Sequence, residues 1–490
     1  MNNLHKKSAI AVVLFLLTFC YKATAQTGIN RISKEQKMYE LSVVWKELSY
    51  NFANMDNCPK VHLDSLYREY MIVVQNTKND WEYYKAMYRF LSNFNNGHVT
   101  IYNRPDYYLD YLGYLLLTTT CKDNKIIVEN IGIHNAKKIN IGDEIVMVNN
   151  LPVMDFLQKQ AMPYVAVSNE EVKFRYAMFG MNKVLNTALK DEKITLGIKM
   201  PKGIKQVTLS YDCYYKPLPK EMASQRNKQY LDTNAYANFL SVCNNLFLED
   251  TVHNFAYIRL TRCDTSFQSF FLEHYEKIMQ RKHLIVDVHY NEGGSSNATW
   301  AAIAYLLNND SIYVYTDKTR VNNAVYKAWA TIKKLFYEDD EVPEFYKINY
   351  YPYYDNTAFE KVEGGSYGEV YPCPVPDEWR YKGKTHVLIS EDNGSAGEYF
   401  AAMLSQNKDI TFWGKKTVGA FGQPLIVRLP SGIDVMINTT KTYDFQGRDI
   451  SSGFPPDYEY DFSDVYKIND PQEMLGKLIE VIKEIEKTEK

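Results

Sequence analysis

The residues that could most clearly take part in a reaction lie in the segment DNGSAGE, at 392–398, where a serine precedes a predicted helix. An apolar strand, THVLIS, comes before this segment and YFAAMLSQN continues it as a helix, so Ser395 lies at a strand-to-helix junction. A serine here can cap the helix, with Glu398 three residues later completing a capping box. It can equally be a nucleophile, because the N–H groups of the first helical turn, including that of Ala396, would face an anion formed beside it. The segment alone leaves both interpretations open.

A second junction of this type follows the strand HLIVDVHY, where the chain continues as NEGG. Gly293 and Gly294 have no Cβ, so the backbone N–H groups of this turn are free to face outwards. Preorganised donors of this kind form an oxyanion hole, because negative charge develops on the carbonyl oxygen of a tetrahedral intermediate. Both junctions follow strands, and reactive groups in open α/β sheets gather beyond the carboxyl ends of strands. A plain turn between a strand and a helix is the alternative for the glycine pair.

A serine hydroxyl needs a general base before it becomes a good nucleophile, and histidine is the first candidate. His98, in NFNNGHVTIY, stands between a glycine hinge and a predicted strand, an arrangement that can direct its ring into a cleft. His289, in VDVHY, lies next to the glycine turn and is a second candidate. A purely structural role is the alternative for each of them.

The composition of the chain excludes several functional classes. Hydrophobic residues make up 46% of the sequence and charged residues 23%, as in globular proteins that form cores. The formal charge is −3, and the basic residues do not cluster into a stripe along the sequence. We therefore expect no nucleic-acid partner. The cysteines after residue 25 are scattered singly without CxxC pairs, so we expect no metal site, and a serine nucleophile with a histidine base needs no cofactor.

The first 25 residues have the pattern of a secretory signal peptide. A basic start, MNNLHKK, is followed by the apolar SAIAVVLFLLTFC, which is too short to span a bilayer, and by ATA before Gln26. We therefore expect an exported protein, periplasmic or extracellular, with no integral membrane segment after cleavage of residues 1–25. A retained anchor is one alternative, and a lipoprotein cut before Cys20 is another that the bulky Phe19 disfavours.

Hydrophobic periodicity predicts a multidomain α+β chain that begins with a helical bundle at 26–104. MYELSVVWKELSYNF and NDWEYYKAMYRFLSNF both carry apolar residues at helical spacing, and Asp80 is the predicted N-cap of the second helix. Residues 105–215 change to short strands separated by turns. The order of strand, Asn149-Asn150 turn and helix in this region is that of a PDZ domain, so we predict a small β-rich, PDZ-like domain.

Residues 216–490 alternate strands and helices, which predicts an α/β core built on a mixed sheet. A tyrosine-rich insertion at about 317–380, containing FYKINYYPYYDN, interrupts this pattern. The last helix has a clear start, with Asp470 as its N-cap and Pro471 in its first position.

Taken in order, these segments resemble the tail-specific and tricorn-type serine peptidases, also called C-terminal processing peptidases. VDVHYNEGG is similar to the family's apolar strand ending in Asn-x-Gly-Gly, and NGSAGEYFAA to its nucleophile segment. WGKKTVGAFG resembles the strand and Thr-x-Gly turn that follow, and SSGFPPDYEY the closing Gly-x-x-Pro-Asp motif. The order of a helical domain, a PDZ-like domain and a catalytic core resembles the family over most of the chain. The resemblance implies that Ser395 is the nucleophile and that Gly293 or Gly294, with Ala396, supplies the oxyanion donors.

The family resemblance also bears on the identity of the base. In the processing branch the base is a lysine just after Thr-x-Gly, and that position here is Ala420. In the tricorn-like branch it is a histidine from the helical domain, and the context of His98 resembles this arrangement. That branch has a glutamate shortly before the Gly-x-x-Pro-Asp motif, where the nearest carboxylate here is Asp449. A surface aspartate is an equal alternative for Asp449.

The function implied by the resemblance is that of a serine endopeptidase acting on peptides or unfolded proteins, with homo-oligomerisation left open. The alternative is a catalytically inactive peptide-binding protein that retains the peptidase fold. The altered acid position and the altered Asn-Glu-Gly-Gly loop motivate this alternative. His289 and Glu292 replace the arginine and glycine that are usual in the family's strand motif, which leaves the substrate preference open.

Overall fold

The computed structural model describes residues 29–213, 228–232, 244–320, 328 and 370–488. The predicted signal peptide, including Cys20, and most of the predicted tyrosine-rich insertion lie outside these residues. In the described part, the α-helices are α1 (Lys34–Asn51), α2 (Leu63–Gln75), α3 (Asp80–Ser92), α4 (Val153–Phe156), α5 (Glu170–Ala177), α6 (Thr265–Met279), α7 (Trp300–Leu306), α8 (Ala396–Leu404) and α9 (Pro471–Thr488).

The N-terminal region is helical because its apolar residues recur at helical spacing, with Leu41, Val44 and Leu48 of α1 fully buried. The predicted start of α3 was wrong by one residue. Asn79 is the N-cap, since its side chain accepts the N–H of Glu82 at 2.9 Å. Asp80 is instead a buried acceptor for backbone N–H groups of the segment before α1.

A three-stranded antiparallel sheet connects this helical region to the C-terminal part of the chain. Strand β1 (Thr100–Asn103), which follows α3, pairs with β19 (Asp434–Asn438), and β19 pairs with β18 (Pro424–Arg428). The segment just before β1 is thereby placed against residues that precede β18. Two other short pairs are β2 (Leu112–Tyr114) with β7 (Thr187–Leu189), and β14 (Thr316–Thr319) with β20 (Thr440–Tyr443).

The middle of the chain forms a β-rich unit around its own buried cluster. Its strands run in the order β3 (Leu117–Lys122), β4 (Lys125–Ile131), β5 (Glu144–Val148), β8 (Lys193–Met200) and β9 (Gly203–Ser210), with β6 (Leu151–Pro152) paired to β5. Val172 of α5 belongs to this cluster, and so does Val418 from the C-terminal region. The unit is therefore packed against the part of the chain that follows the predicted nucleophile.

The C-terminal region is built on a six-stranded mixed sheet, and the whole confirms the predicted multidomain α+β class. Its order is β10 (Leu246–Asp250), β11 (Phe255–Arg259), β12 (His283–Asp287), β16 (Lys384–Ile389), β17 (Ile410–Gly414) and β21 (Tyr458–Glu459), in which only the β10–β11 pair is antiparallel. Strands β13 (Ser311–Tyr313) and β15 (Val370–Pro372) pair outside it. Residues of α6, α7 and α8 share one buried cluster with the sheet, and residues of α9 share another. Asp470 caps α9 as predicted, accepting the N–H of Glu473 at 2.8 Å.

No helix within the described residues is both long and apolar enough to cross a membrane.

Candidate active site

Ser395 occupies a sharp turn between β16 and α8 that gives it an unusual backbone conformation. Its φ of 50° and ψ of −123° are outside the regions that non-glycine residues normally adopt. Conformations of this kind cost about 1–3 kcal/mol and persist where the surrounding structure enforces them. Ser395 and Glu398 form the capping box that the sequence predicts, with the Ser395 N–H donating to the Glu398 carboxylate. The N–H of Glu398 also donates to the Ser395 carbonyl oxygen at 2.9 Å. A strained turn between a strand and a helix is the geometry in which some hydrolases present a nucleophile.

Glu398 holds this turn in place from below, with a fully buried carboxylate. Its Oε2 accepts the N–H of Ser395 at 3.0 Å and that of Ala420 at 2.8 Å. Its Oε1 accepts the Thr417 hydroxyl at 2.5 Å and the Gly419 N–H at 2.8 Å. Burial raises the pKa of Glu398 to about 7, and the four donors act in the opposite direction by stabilising the carboxylate. Glu398 therefore joins the serine turn to the 417–420 turn.

The glycine turn after β12 meets the serine turn at the same edge of the sheet, because β12 and β16 are adjacent and parallel. The Gly394 N–H donates to the Asn291 carbonyl oxygen at 2.9 Å. Gly293, with φ of +98°, lies so close that an added Cβ would be 2.7 Å from the Ser395 Cβ and 2.9 Å from the Ala396 nitrogen. Glycine is required here by this close approach as well as by the backbone angle.

The predicted oxyanion donors differ in their availability. The N–H of Gly293 already donates to the Asn291 side-chain oxygen at 2.9 Å. The N–H groups of Gly294 and Ala396 have no acceptor among the described residues, and Ala396 is the first residue of α8. The helix dipole of α8 adds to the favourable potential for an anion beside Ala396.

His98 lies between α3 and β1 and is buried, with 8% of its surface exposed. Its Nδ1 is 2.9 Å from the carbonyl oxygen of Gly422, so Nδ1 carries the proton and Nε2 is the basic nitrogen. Its backbone N–H donates to the Asn96 side chain at 2.9 Å. Burial lowers the pKa of His98 to about 4, because the imidazolium form loses hydration and only the Gly422 carbonyl compensates it. At neutral pH the ring is an uncharged base.

The 417–422 segment brings the His98 loop and the serine turn to one place. Ala420 donates its N–H to the same Glu398 oxygen as Ser395, and a Cβ added to Gly97 would lie 3.0 Å from the Ala420 Cβ. No hydrogen bond joins the Ser395 hydroxyl to His98 in this structure, which describes both residues. Contacts between nucleophile and base are often loose in the absence of substrate and tighten when substrate binds.

The other two residues singled out in the sequence, Asp449 and His289, have no hydrogen bond or ion pair with Ser395 or His98 in the described part of the chain. Asp449 follows β20, where its carboxylate pairs with Lys441 at 3.7 Å and accepts the Ser451 N–H at 2.9 Å, and it has no hydrogen bond or ion pair with His98. His289 is buried beneath the glycine turn, with its ring 4.6 Å from that of Tyr466. Burial also lowers the pKa of His289.

Two residues of this neighbourhood were not found from the sequence. Gly422 is the hydrogen-bond partner of His98 although 324 positions separate them, a pairing that no local signal announces. Asp317 is a buried carboxylate on β14 that accepts the Thr442 hydroxyl at 2.6 Å. It falls at the start of the segment predicted to be an insertion, and only the strand pairing of β14 with β20 identifies its place.

Comparison with known proteins shows what this chain is similar to. Residues 254–460 match the family model described as peptidase family S41. Among solved structures, mature CPAF complexed with lactacystin aligns with a TM-score of 0.62 and 15% identity, over 92% of this chain and 98% of that chain. A second structure of mature CPAF aligns at 0.57 with 16% identity, over 87% and 92%. The tricorn protease aligns at 0.42 with 14% identity, over 92% of this chain and 37% of that chain. A search of curated protein sequences gives no match.

Proposed function

We propose that the chain, whose residues 254–460 match the model of peptidase family S41, is a serine-type peptidase of this family and an exported endopeptidase with Ser395 as its nucleophile. The observation that carries this assignment is the strained backbone of Ser395 at the N-terminus of α8, with Gly293 against it. A helix cap alone would not need this backbone conformation. The substrates are peptides or unfolded proteins, whose chain can enter a cleft in extended form.

The proposed reaction uses His98 as general base and then as general acid. The Ser395 oxygen bonds to the substrate carbonyl carbon while its proton passes to His98 Nε2. The N–H groups of Gly294 and Ala396 stabilise the oxyanion that forms, since the Gly293 N–H is already engaged. The C–N bond then breaks and the amine leaves with the proton from His98. Water, deprotonated by His98, attacks the acyl group and releases the carboxylate product and free Ser395.

We assign the orientation of the His98 ring to the Gly422 carbonyl oxygen rather than to Asp449. The carbonyl is already 2.9 Å from Nδ1, whereas Asp449 is engaged with Lys441 and Ser451. A carbonyl fixes the tautomer as a carboxylate does, although it contributes no charge when the imidazolium forms.

We further propose that the β-rich unit at 105–215 is a PDZ-like domain that binds chain ends by strand addition. Its helix α5 contacts both catalytic segments, which supports a role in substrate handling. Arg175 pairs with Asp392 at 2.6 Å, three residues before the nucleophile, and Lys173 donates to Asn95 at 2.9 Å, three residues before the base.

The test of the catalytic assignment is hydrolysis of a fluorescently labelled unfolded protein by the full chain. Ser395→Ala should abolish the hydrolysis, and His98→Gln should lower kcat by about 10³-fold or more. Ser405→Ala is the matched control, because Ser405 lies at the other end of α8 with its hydroxyl bonded to the Ala402 carbonyl oxygen. A folded wild-type chain that binds the substrate without cleaving it would support the inactive peptide-binding alternative instead.

Export has its own test. The residues before Gln26 have the signal-peptide pattern, so the protein recovered from the periplasm of a bacterial host should begin at Gln26. Retention of the chain in the cytoplasmic fraction, with its first residues intact, would contradict export.

A further inference from the structure

Asp317 is a buried carboxylate that is stabilised by hydrogen bonds from hydroxyl groups rather than by a cation. Asp317 is 7% exposed, and it has no ion pair within the part of the chain that the structure describes. Thr442, its partner across the β14–β20 pair, donates its hydroxyl to Oδ1 at 2.6 Å. The hydroxyl of Thr440 also stabilises the ionised form by hydrogen bonding. A buried charge without a counterion is costly, so this arrangement requires a reason.

The hydrogen bonds around Asp317 have one consistent direction, ending on its carboxylate. The Gly422 N–H donates to the Tyr399 hydroxyl oxygen at 2.8 Å. Because the Thr442 proton is committed to Asp317, the 3.2 Å contact between Tyr399 and Thr442 has Tyr399 as donor. Donors arranged head to tail in this way polarise one another.

A second branch reaches the peptide group that contacts the proposed base. The Gln423 N–H donates to the Thr440 hydroxyl oxygen at 2.9 Å. This N–H belongs to the same peptide unit as the Gly422 carbonyl, which accepts the proton on His98 Nδ1 at 2.9 Å. Donation to the carboxylate makes the Thr440 oxygen more negative, so it accepts the Gln423 N–H more strongly and makes the Gly422 carbonyl oxygen that faces the imidazole a stronger acceptor.

Gly422 itself cannot move freely within this network. Its φ is +104°, and an added Cβ would lie 2.0 Å from the Asn438 Oδ1. The Asn438 side chain in turn donates to the Phe421 carbonyl oxygen at 2.8 Å. The carbonyl that orients His98 is therefore held on both sides, by Asn438 and by the hydroxyl groups that surround Asp317.

We propose that Asp317 is a positioning residue for His98, which acts through the Thr442, Thr440 and Tyr399 hydroxyls and the Gly422 carbonyl. This inference rests on the proposed role of His98 as base. Asp317 would thus replace, through intervening hydrogen bonds, a carboxylate in direct contact with the imidazole. Burial raises the pKa of Asp317 to about 7, so the side chain is ionised at mildly alkaline pH. In that form both carboxylate oxygens can accept hydrogen bonds from the surrounding hydroxyl groups.

The experiment compares Asp317→Asn and Thr442→Val with wild type at pH 8 in the full chain, using kcat and KM for an unfolded protein substrate. Both variants should lower kcat by about tenfold with little change in KM, which is the rate equivalent of one hydrogen bond to the base. Thr442→Ser retains the hydroxyl and should recover most of the kcat lost in Thr442→Val. Asp434→Asn is the control, because Asp434 is equally buried but its carboxylate bonds to Arg428 at 2.8 Å, away from His98.

The outcomes separate this proposal from the catalytic assignment. If Ser395→Ala and His98→Gln lose activity while Asp317→Asn and Thr442→Val keep wild-type kcat, the positioning role is refuted and the assignment of the base stands. If His98→Gln keeps wild-type kcat, the catalytic assignment is refuted. If Asp317→Asn does not fold, the comparison of Thr442→Val with Thr442→Ser decides the matter. Equal losses in those two variants would overturn the proposal.

Discussion

The buried position of His98 predicts an unusual pH dependence for the peptidase. An ordinary histidine, with a pKa near 6.5, would be only about 9% unprotonated at pH 5.5. Burial lowers the pKa of His98 to about 4, so about 97% of the ring would still be the free base at that pH. We therefore expect protonation of His98 itself to lower kcat/KM by less than about twofold between pH 8 and pH 5.5. Protonation of Asp317 and Glu398, whose pKa values burial raises to about 7, contributes a separate fall that is absent in Asp317→Asn and Glu398→Gln.

The assay is the hydrolysis of a fluorogenic peptide at constant ionic strength, run beside the rate of labelling of Ser395 by a fluorophosphonate. Both rates report the unprotonated base of the free enzyme. Circular dichroism at each pH ensures that only folded protein is compared. A tenfold fall in both rates with a midpoint near pH 6.5 that persists in Asp317→Asn and in Glu398→Gln would refute the reasoning that burial keeps His98 neutral.

The same shift has a consequence for stability, whose sign follows from proton binding. The folded pKa of His98 lies below the unfolded value, so between pH 6.5 and pH 4 the unfolded chain binds more protons. The contribution of His98 to the free energy of unfolding is therefore complete above pH 6.5 and is lost as the pH falls towards 4. A shift of about 2.5 units corresponds to about 3 kcal/mol. Urea unfolding at pH 7.5 and pH 4.5 should show a fall in the free energy of unfolding that is smaller in His98→Gln by nearly this amount, and equal falls would contradict it.

Further predictions address the residues that hold the site together. Glu398→Gln replaces the carboxylate that accepts four hydrogen bonds, one of them from the Ser395 N–H. The kcat at pH 8 should fall at least tenfold, because the Ser395 turn loses this support. An unchanged kcat would contradict this role. Arg175→Met removes the ion pair next to the nucleophile turn and should lower kcat by roughly fivefold with the fold intact, as checked by thermal unfolding; an effect on KM alone would argue against positioning. Gly422→Ala should cost about 3 kcal/mol in urea unfolding, whereas Gly447→Ala, at φ +76° with no atom within 4 Å, should cost about 1 kcal/mol. Equal costs for the two would show that the close approach of Asn438 is unimportant.

Local sequence was a good guide wherever the determining contacts are local. The strand-to-helix junction at Ser395 and the start of the last helix at Asp470 were both predicted, because N-caps and apolar periodicity act over a few residues. The same rule failed by one residue at α3. Asn79 and Asp80 are both good caps, and the choice depends on Asp80 bonding to a segment some 50 positions away.

The support of the base could not be predicted, because its partners come together only in the folded chain. Nothing near His98 indicates Gly422, and the family resemblance pointed to Asp449 instead. Asp317 stands in YTDKT, a short polar strand that looks like an exposed loop in the sequence. Its importance comes from burial against Thr442, which depends on the pairing of two strands more than 100 residues apart.

The most direct test of the central claim is the site and rate of covalent modification by a fluorophosphonate, located by mass spectrometry of peptides. We expect a single adduct on the peptide that contains Ser395, absent in Ser395→Ala and formed at least about 10²-fold more slowly in His98→Gln. Labelling of a different serine, or labelling of Ser395 at the same rate without His98, would contradict it.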